Sequence, residues 1–162
     1  MQFQIKQRVF SLGDTYDITD GQGSPVYQVK GRVFSFGNQL DLLDMTGKPL
    51  AHISQRLFSM TAEYDITTSG QEEPTVVKKQ AFSLFHPTFD IEGPAGTYQM
   101  AGDWTNWNYT IQSEGQVVAQ IGKESALFQD TYTVDIADNA DAPTLLCLAI
   151  VMDEVSHPDH RN

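Results

Sequence analysis

The sequence predicts a mainly β protein, a closed antiparallel barrel of about twelve strands around a buried, apolar C-terminal helix. Three features predict this fold: a motif that recurs every 24 residues, alternation of apolar and polar residues within each copy, and one all-apolar run near the end of the chain. Alternation with a period of two is typical of strands that bury one face. Closing the sheet removes the exposed edges that an open sheet would leave.

The repeat sets the number of strands. Its first four copies, the last with one residue inserted, are RVFSLGDTYDI (8–18), RVFSFGNQLDL (32–42), RLFSMTAEYDI (56–66) and QAFSLFHPTFDI (80–91). Turn sequences rich in Gly and Pro separate the copies, so each unit is predicted to hold two strands. Less regular strand pairs follow at residues 97–102 and 107–112, then at 117–122 and 131–136. Six units therefore predict about twelve strands between residues 3 and 136.

One helix is predicted, at residues 142–156. The run from Leu145 to Met152 has no polar face, so a helix here must be covered on every side. Asp141 is the predicted N-cap, and His157-Pro158 marks the end. A barrel of this width has a lumen, and an apolar helix is suited to fill it. The alternative, an open solenoid of repeats, does not need an all-apolar terminal helix.

The composition favours a single soluble domain over residues 1–162, in a reducing cytoplasm. The formal net charge of −11 opposes binding to phosphates, so no nucleic-acid partner is predicted. The one cysteine, Cys147, lies inside the apolar run, which predicts a buried and inert thiol. The N-terminus lacks the pattern of a signal peptide, and the apolar run is too short for a transmembrane span.

Taken together, these patterns resemble the LURP-one-related family. The resemblance is carried by the R-[VL]-F-S-x(5)-D-[IL] units, by GDWTNWNYTI and FQDTYTVDI in the later strands, and by the closing LLCLAIVMDEV. That family is related to the tubby C-terminal domain and to phospholipid scramblases, and the resemblance implies a twelve-stranded barrel around a C-terminal helix. It implies less about function: tubby domains bind phosphoinositides, and scramblases are linked to calcium and lipid movement.

Six of the ten basic residues fall at two phases of the repeat and form a candidate ligand-binding band. Such a band can hold a phosphate or a lipid headgroup through charge-assisted hydrogen bonds. The alternative is that these side chains pair with the repeated aspartates across neighbouring strands, and the net negative charge favours this alternative. The six residues are Lys6, Arg8, Lys30, Arg32, Arg56 and Lys78.

The acidic stretch before the helix is a candidate site for a hard cation such as calcium. Its oxygen ligands are Asp130, Asp135, Asp138, Asn139 and Asp141. Their spacing lacks the D-x-[DN]-x-[DN]-G pattern of a calcium loop, so a solvated acidic loop explains them as well. The tail offers a soft metal site at His157 and His160, where a frayed end is the simpler interpretation.

No enzyme is predicted, and no cofactor. The sequence has no GxSxG, GxxxxGK[ST], HExxH or CxxC motif. Trp104 and Trp107 can stack on a sugar or lipid, although such residues more often fill a barrel wall. The predicted function is a non-catalytic binding module for a lipid headgroup or small ligand. The alternative is a scaffold or regulator with a protein partner, and a scramblase-like activity is disfavoured because Asp153 and Glu154 follow the apolar run.

Overall fold

The structure, a computed structural model, describes residues 1–6, 15–32, 37–81, 86–103, 108–125 and 130–156, apart from the side chains at positions 16, 125, 130 and 156. These residues form twelve strands and one helix. The strands are β1 (Gln2–Lys6), β2 (Thr15–Asp20), β3 (Pro25–Gly31), β4 (Gln39–Asp44), β5 (Pro49–Gln55), β6 (Glu63–Thr68), β7 (Thr75–Lys79), β8 (Thr88–Gly93), β9 (Gly96–Asp103), β10 (Asn108–Ser113), β11 (Gln116–Ser125) and β12 (Asp130–Ile136), and the helix is α1 (Ala142–Ser156).

The strands form a closed antiparallel barrel, which confirms the predicted fold. Each described strand pairs with its neighbours in sequence, and β1 pairs with β12 to close the sheet. Successive antiparallel pairing makes the odd-numbered strands run in one direction and the even-numbered strands in the other. Closure gives each strand a hydrogen-bonded partner on both sides, so the described sheet has no exposed edge for another chain to extend.

The alternating apolar and polar residues of a strand face the inside and the outside of the barrel, respectively. On β6, Tyr64 and Ile66 are buried, whereas Asp65 between them lies on the outer face and is half-buried. The same pattern holds on β4, where Leu40 and Leu42 point into the core. Each large apolar side chain removed from water stabilises the fold by about 1.5–3 kcal/mol before entropy is counted. The apolar positions of the repeated motif therefore line the lumen on β4 and β6.

The helix α1 fills the lumen, as predicted. Every residue from Leu145 to Met152 is buried, and the helix contacts β5, β6 and β12. The side chain of Asp141 accepts a hydrogen bond from the Thr144 hydroxyl at 2.6 Å, and its carbonyl accepts the first helical bond from the Leu145 N–H at 3.1 Å. Asp141 is therefore the N-cap. No helix in the described part of the chain combines the length and apolar character that crossing a bilayer requires.

Two side-chain hydrogen bonds hold the far end of α1 against the barrel. The Tyr132 hydroxyl on β12 donates to Asp153 Oδ1 at 2.5 Å. The side-chain amide of Asn38, just before β4, donates to Glu154 Oε2 at 2.5 Å. The helix therefore leaves the lumen at the end of the barrel where β3 connects to β4.

The turns at the other end of the barrel repeat as the strands do. Between β4 and β5, Asp44 Oδ1 accepts hydrogen bonds from the N–H groups of Thr46 and Lys48 at 2.8 and 2.9 Å. Gly47 has a φ of 88° in this turn, a conformation that glycine adopts without steric cost. The turn between β2 and β3 uses Asp20 in the same way, 24 residues earlier in the sequence. The repeat therefore specifies the turn chemistry as well as the strands.

Candidate functional site

Basic residues are concentrated at one end of the barrel, the end at which the odd-numbered strands finish; we call this end the basic rim. Antiparallel pairing between sequence neighbours brings all of these strand ends to the same side of the barrel. Of the eight described Lys and Arg residues, only Lys48 lies at the opposite rim. The other seven lie at or just beyond the ends of odd-numbered strands: Lys6, Lys30, Arg32, Arg56, Lys78, Lys79 and Lys123.

The opposite rim is acidic. Its turns and strand ends carry carboxylates around the barrel, on Asp20, Asp44, Glu72, Glu73, Glu92, Glu114 and Asp138. Carboxylates also occur near the basic rim, so the two rims differ mainly in their cations. Those near the basic rim include Asp41, Glu63, Asp65, Asp90, Asp103, Glu124, Asp153 and Glu154. The protein therefore has a charge asymmetry along the barrel axis, and such an asymmetry orients a molecule in the field of a charged surface.

Three lysines of the predicted band are exposed on the outer face near the basic rim: Lys6, Lys30 and Lys78. In the strand register, Lys30 lies opposite Asp41 and Lys78 lies opposite Asp90. Within the described residues, none of the three ammonium groups is in an ion pair. These three charges can therefore contact an external anion without breaking a described salt bridge.

Arg32 follows β3 and is held by Asp41 of β4. Its Nε and Nη2 donate to Asp41 Oδ2 and Oδ1 at 2.8 and 3.1 Å, and His52 Nδ1 lies 2.7 Å from the same Oδ1. Burial alone would raise the pKa of Asp41, but the hydrogen bonds with Arg32 and His52 outweigh this effect and hold the pKa below its ordinary value. The hydrogen bond to Asp41 in turn raises the pKa of Arg32.

Arg56 makes the equivalent contacts one repeat later. Its Nε donates to the two oxygens of Asp65 at 2.9 and 3.0 Å, and its Nη1 donates to Glu63 Oε1 at 2.7 Å. One repeat further, Gln80 Nε2 donates to both oxygens of Asp90 at 3.0 Å. Pairing with the repeated aspartates, the alternative considered above, therefore describes both arginines of the band that lie in the described residues.

We predict that Asp41→Asn removes part of the acid sensitivity of folding. A carboxyl group whose pKa is lower in the folded state stabilises the fold above its unfolded pKa, about 3.9, and this contribution disappears as the pH falls through the lowered pKa. At neutral pH the wild type should exceed Asp41→Asn in unfolding free energy by about 1 kcal/mol, a value suited to a partly exposed ion pair. Urea unfolding at a series of pH values measures this gap. Parallel stability curves down to strongly acidic pH would contradict the assignment.

Three large apolar side chains project from the basic rim in residues 57–60, which lie between β5 and β6 and are named the rim loop. Phe58 and Met60 are fully exposed, and Leu57 is 45% exposed. Phe58 has a φ of 65°, a left-handed conformation that costs a residue with a side chain on the order of 1–2 kcal/mol. The backbone therefore holds this ring in water, where it gains no packing within the described chain.

The sequence pattern does not predict the exposure of the rim loop, because its Phe belongs to a repeat whose alternation predicts strands with one buried face. No periodic signal in the sequence reveals it, because β5 ends at Gln55 and the alternation of a strand does not extend into the turn that follows. The other copies of the motif place Phe10, Phe34 and Phe82 at the same phase, outside the described residues.

Two of the acidic candidates lie toward opposite ends of β12. Asp130 begins this strand at the basic rim, and five residues at the rise of a strand separate its backbone by about 16 Å from that of Asp135. The Oδ1 of Asp135 accepts a hydrogen bond from Gln2 Nε2 at 3.1 Å. The strand therefore does not bring these two predicted ligands together.

The remaining acidic candidates lie between β12 and α1 or at the start of the helix. Asp138 Oδ1 accepts a hydrogen bond from the Met1 amino group at 3.0 Å, Asn139 is exposed, and Asp141 caps the helix. Among the described residues, no group of three or more His, Cys, Asp or Glu side chains is arranged to hold a metal ion. The calcium site therefore stays a prediction.

Cys147 is buried in α1, as predicted. Burial raises the pKa of its thiol far above the ordinary range, with a smaller contribution from the negative charge of Asp141. A thiol that does not ionise is a poor nucleophile, so Cys147 remains inert at neutral pH. The predicted candidates that lie outside the described residues are Arg8, Trp104, Trp107, His157 and His160.

Comparison with known proteins places this barrel in a family. The structure is similar to the X-ray structure of a protein from Arabidopsis thaliana, with a TM-score of 0.67 and 19% sequence identity over 95% of this chain and 91% of that chain. At this identity the likeness supports the fold alone. No curated protein matches the chain. The model of the LURP-one-related family matches residues 1–153, which include all twelve described strands and most of α1, so the chain belongs to the LURP-one-related family.

Proposed function

We propose that this protein is a non-catalytic binding module that docks on the anionic headgroups of a bilayer through its basic rim. The observation that carries the proposal is the position of the cations: seven of the eight described basic residues lie at one rim, whereas carboxylates occur at both. The net charge of −11 repels an anionic surface from most directions. This repulsion is weakest when the basic rim faces the surface, so the electrostatic field of the protein favours that orientation.

The spacing of the exposed lysines favours a surface over a small ligand. Lys6, Lys30 and Lys78 lie on β1, β3 and β7. Neighbouring strands are about 4.8 Å apart, so β1 and β3 are separated by about 10 Å and β3 and β7 by about 19 Å. A single phosphate cannot contact ammonium groups spread over such an arc. Several headgroups of one bilayer can, and each Lys near an anionic surface contributes about 1 kcal/mol.

The two arginines have a different role in this proposal. Arg32 and Arg56 hold the carboxylates of β4 and β6 by the hydrogen bonds described above. Because those carboxylates are neutralised locally, they repel an approaching anion less than free carboxylates would. The arginines therefore support the lysines without themselves binding a headgroup.

The test is binding to vesicles of phosphatidylcholine and phosphatidylserine in equal parts, measured by co-sedimentation. Replacing both Lys30 and Lys78 by Gln should weaken binding at least about tenfold, because about 2 kcal/mol of attraction is lost. Gln is preferred to Glu because a carboxylate at either position would face Asp41 or Asp90 across the strands and lower stability for a separate reason.

The matched control is Lys48→Gln, which removes the same charge from the opposite rim. Its binding should stay within about twofold of wild type, since a charge beyond the Debye length of about 8 Å is largely screened. Equal losses in both variants would mean that net charge alone matters and would contradict a docking rim. Displacement by inorganic phosphate at the concentration of accessible lipid would point to a small-anion site instead of a bilayer.

A further inference from the structure

We infer that the rim loop enters the apolar boundary of the bilayer when the basic rim docks, so that its Phe58 and Met60 anchor the protein among the acyl chains. The inference rests on the proposed function and extends it from headgroup attraction to insertion. Its basis is the coincidence of exposed apolar side chains with exposed lysines at one rim.

The exposure of the rim loop is unusual within the described chain. The remaining large apolar side chains that stand out from the surface, Met1, Met45 and Val117, are each about half exposed and separated along the sequence. The rim loop instead places Leu57, Phe58 and Met60 within four residues. Clustered apolar groups that face water mark a surface that is covered in the working state of a protein.

The backbone keeps these side chains outward. β5 ends at Gln55, and the left-handed φ of 65° at Phe58 is incompatible with a continuing strand. The strand ends on either side of the rim loop are anchored, since Arg56 is held by Asp65 and Glu63. A projecting apolar tip on an anchored base is preorganised to insert without rearrangement of the barrel.

The lysines on either side of the rim loop favour a bilayer as the surface that covers it. The rim loop follows β5, and Lys30 on β3 and Lys78 on β7 each lie two strands away, about 10 Å on either side. An interfacial segment has this arrangement, with apolar residues buried about 5–10 Å into the boundary and lysines at the level of the anionic headgroups. A second copy that met this one basic rim to basic rim would be repelled by the facing lysines, so that arrangement does not cover the rim loop.

The test compares vesicle binding of wild type with Phe58→Asn, Met60→Gln at low and high salt, using the same phosphatidylcholine and phosphatidylserine vesicles. Asn is chosen because it adopts left-handed φ values and so keeps the backbone. At high salt the partition coefficient of the double variant into the vesicles should be at least about tenfold below that of wild type. Salt screens most of the attraction of the lysines, so the remaining binding depends on the apolar side chains. The melting temperature should not fall, because both side chains are fully exposed.

The matched control is Met45→Gln, a methionine at the opposite rim, which should bind as wild type does. If Phe58→Asn, Met60→Gln binds as wild type while Lys30→Gln, Lys78→Gln binds weakly, insertion is wrong and headgroup docking stands. If wild type does not bind these vesicles at all, both proposals are wrong. If the rim-loop variant instead converts a dimer to a monomer in sedimentation velocity without affecting vesicle binding, a second copy covers the loop and the inference is overturned.

Discussion

Leu148→Asp is expected to abolish folding. Leu148 lies in the middle of α1 and is completely buried among the strands. An unpartnered carboxylate at this position costs several kcal/mol, and the lost apolar burial adds about 2 kcal/mol. The total stability of a domain is only about 5–15 kcal/mol. The variant should therefore lose the cooperative thermal transition that circular dichroism is expected to record for the wild type.

The control for this prediction is Val117→Asp, which adds the same group on β11 where the side chain is about half exposed. Its melting temperature should remain close to that of the wild type, because a surface substitution costs at most about 0.5 kcal/mol. A Leu148→Asp protein that melts cooperatively near the wild-type temperature would show that α1 does not fill the lumen.

Gly102→Ala is expected to lower the melting temperature by about 2–12 °C. Gly102 on β9 pairs with Tyr109 on β10, and a Cβ at position 102 would lie 2.1 Å from Tyr109 Cδ1 and 2.6 Å from the Asn108 carbonyl oxygen. Tyr109 is buried, so displacing its ring would disturb the side chains packed around it in the core. Overpacking of this kind costs about 1–3 kcal/mol. Thermal unfolding monitored by circular dichroism measures the loss.

Gly122→Ala provides the matched control on the other side of β10. Gly122 pairs with Asn108, and an added Cβ would meet its nearest neighbour, Asn108 Oδ1, at 3.5 Å, an ordinary contact. The stability of this variant should stay within about 1 kcal/mol of wild type. Equal destabilisation of both variants would indicate a general preference for glycine in these strands and not a close approach at Gly102.

The fold could be predicted from the sequence because its strongest signals are local and repeated. Tyr64 and Ile66 flank Asp65 in the sequence, and the barrel places the first two inside and the third outside. The unbroken run from Leu145 to Met152 could be stable only if covered on all sides, and a closed sheet is the available cover. Asp141 was recognisable as the N-cap from its position alone.

The candidate site could be predicted only in part, because periodicity identifies equivalent positions and not the direction of each side chain. The repeat marked both Lys30 and Arg32, but the two differ in the structure: Arg32 is bound to Asp41, whereas Lys30 is in no ion pair with a described residue. The difference between Lys30 and Arg32 depends on whether each side chain extends far enough to pair with a carboxylate on the neighbouring strand. The exposure of Phe58 depends on one backbone angle, which no apolar pattern encodes.

The central claim is that the basic rim, and not the opposite rim, faces the bilayer. A polarity-sensitive fluorophore tests it when attached to one cysteine at each rim, in Met60→Cys and in Met45→Cys, because both methionines are exposed while Cys147 is buried and inert. On addition of phosphatidylcholine and phosphatidylserine vesicles, the label at position 60 should shift to the blue and brighten as it leaves water, while the label at position 45 should not change. A shift at position 45 with none at position 60 would contradict the proposed orientation.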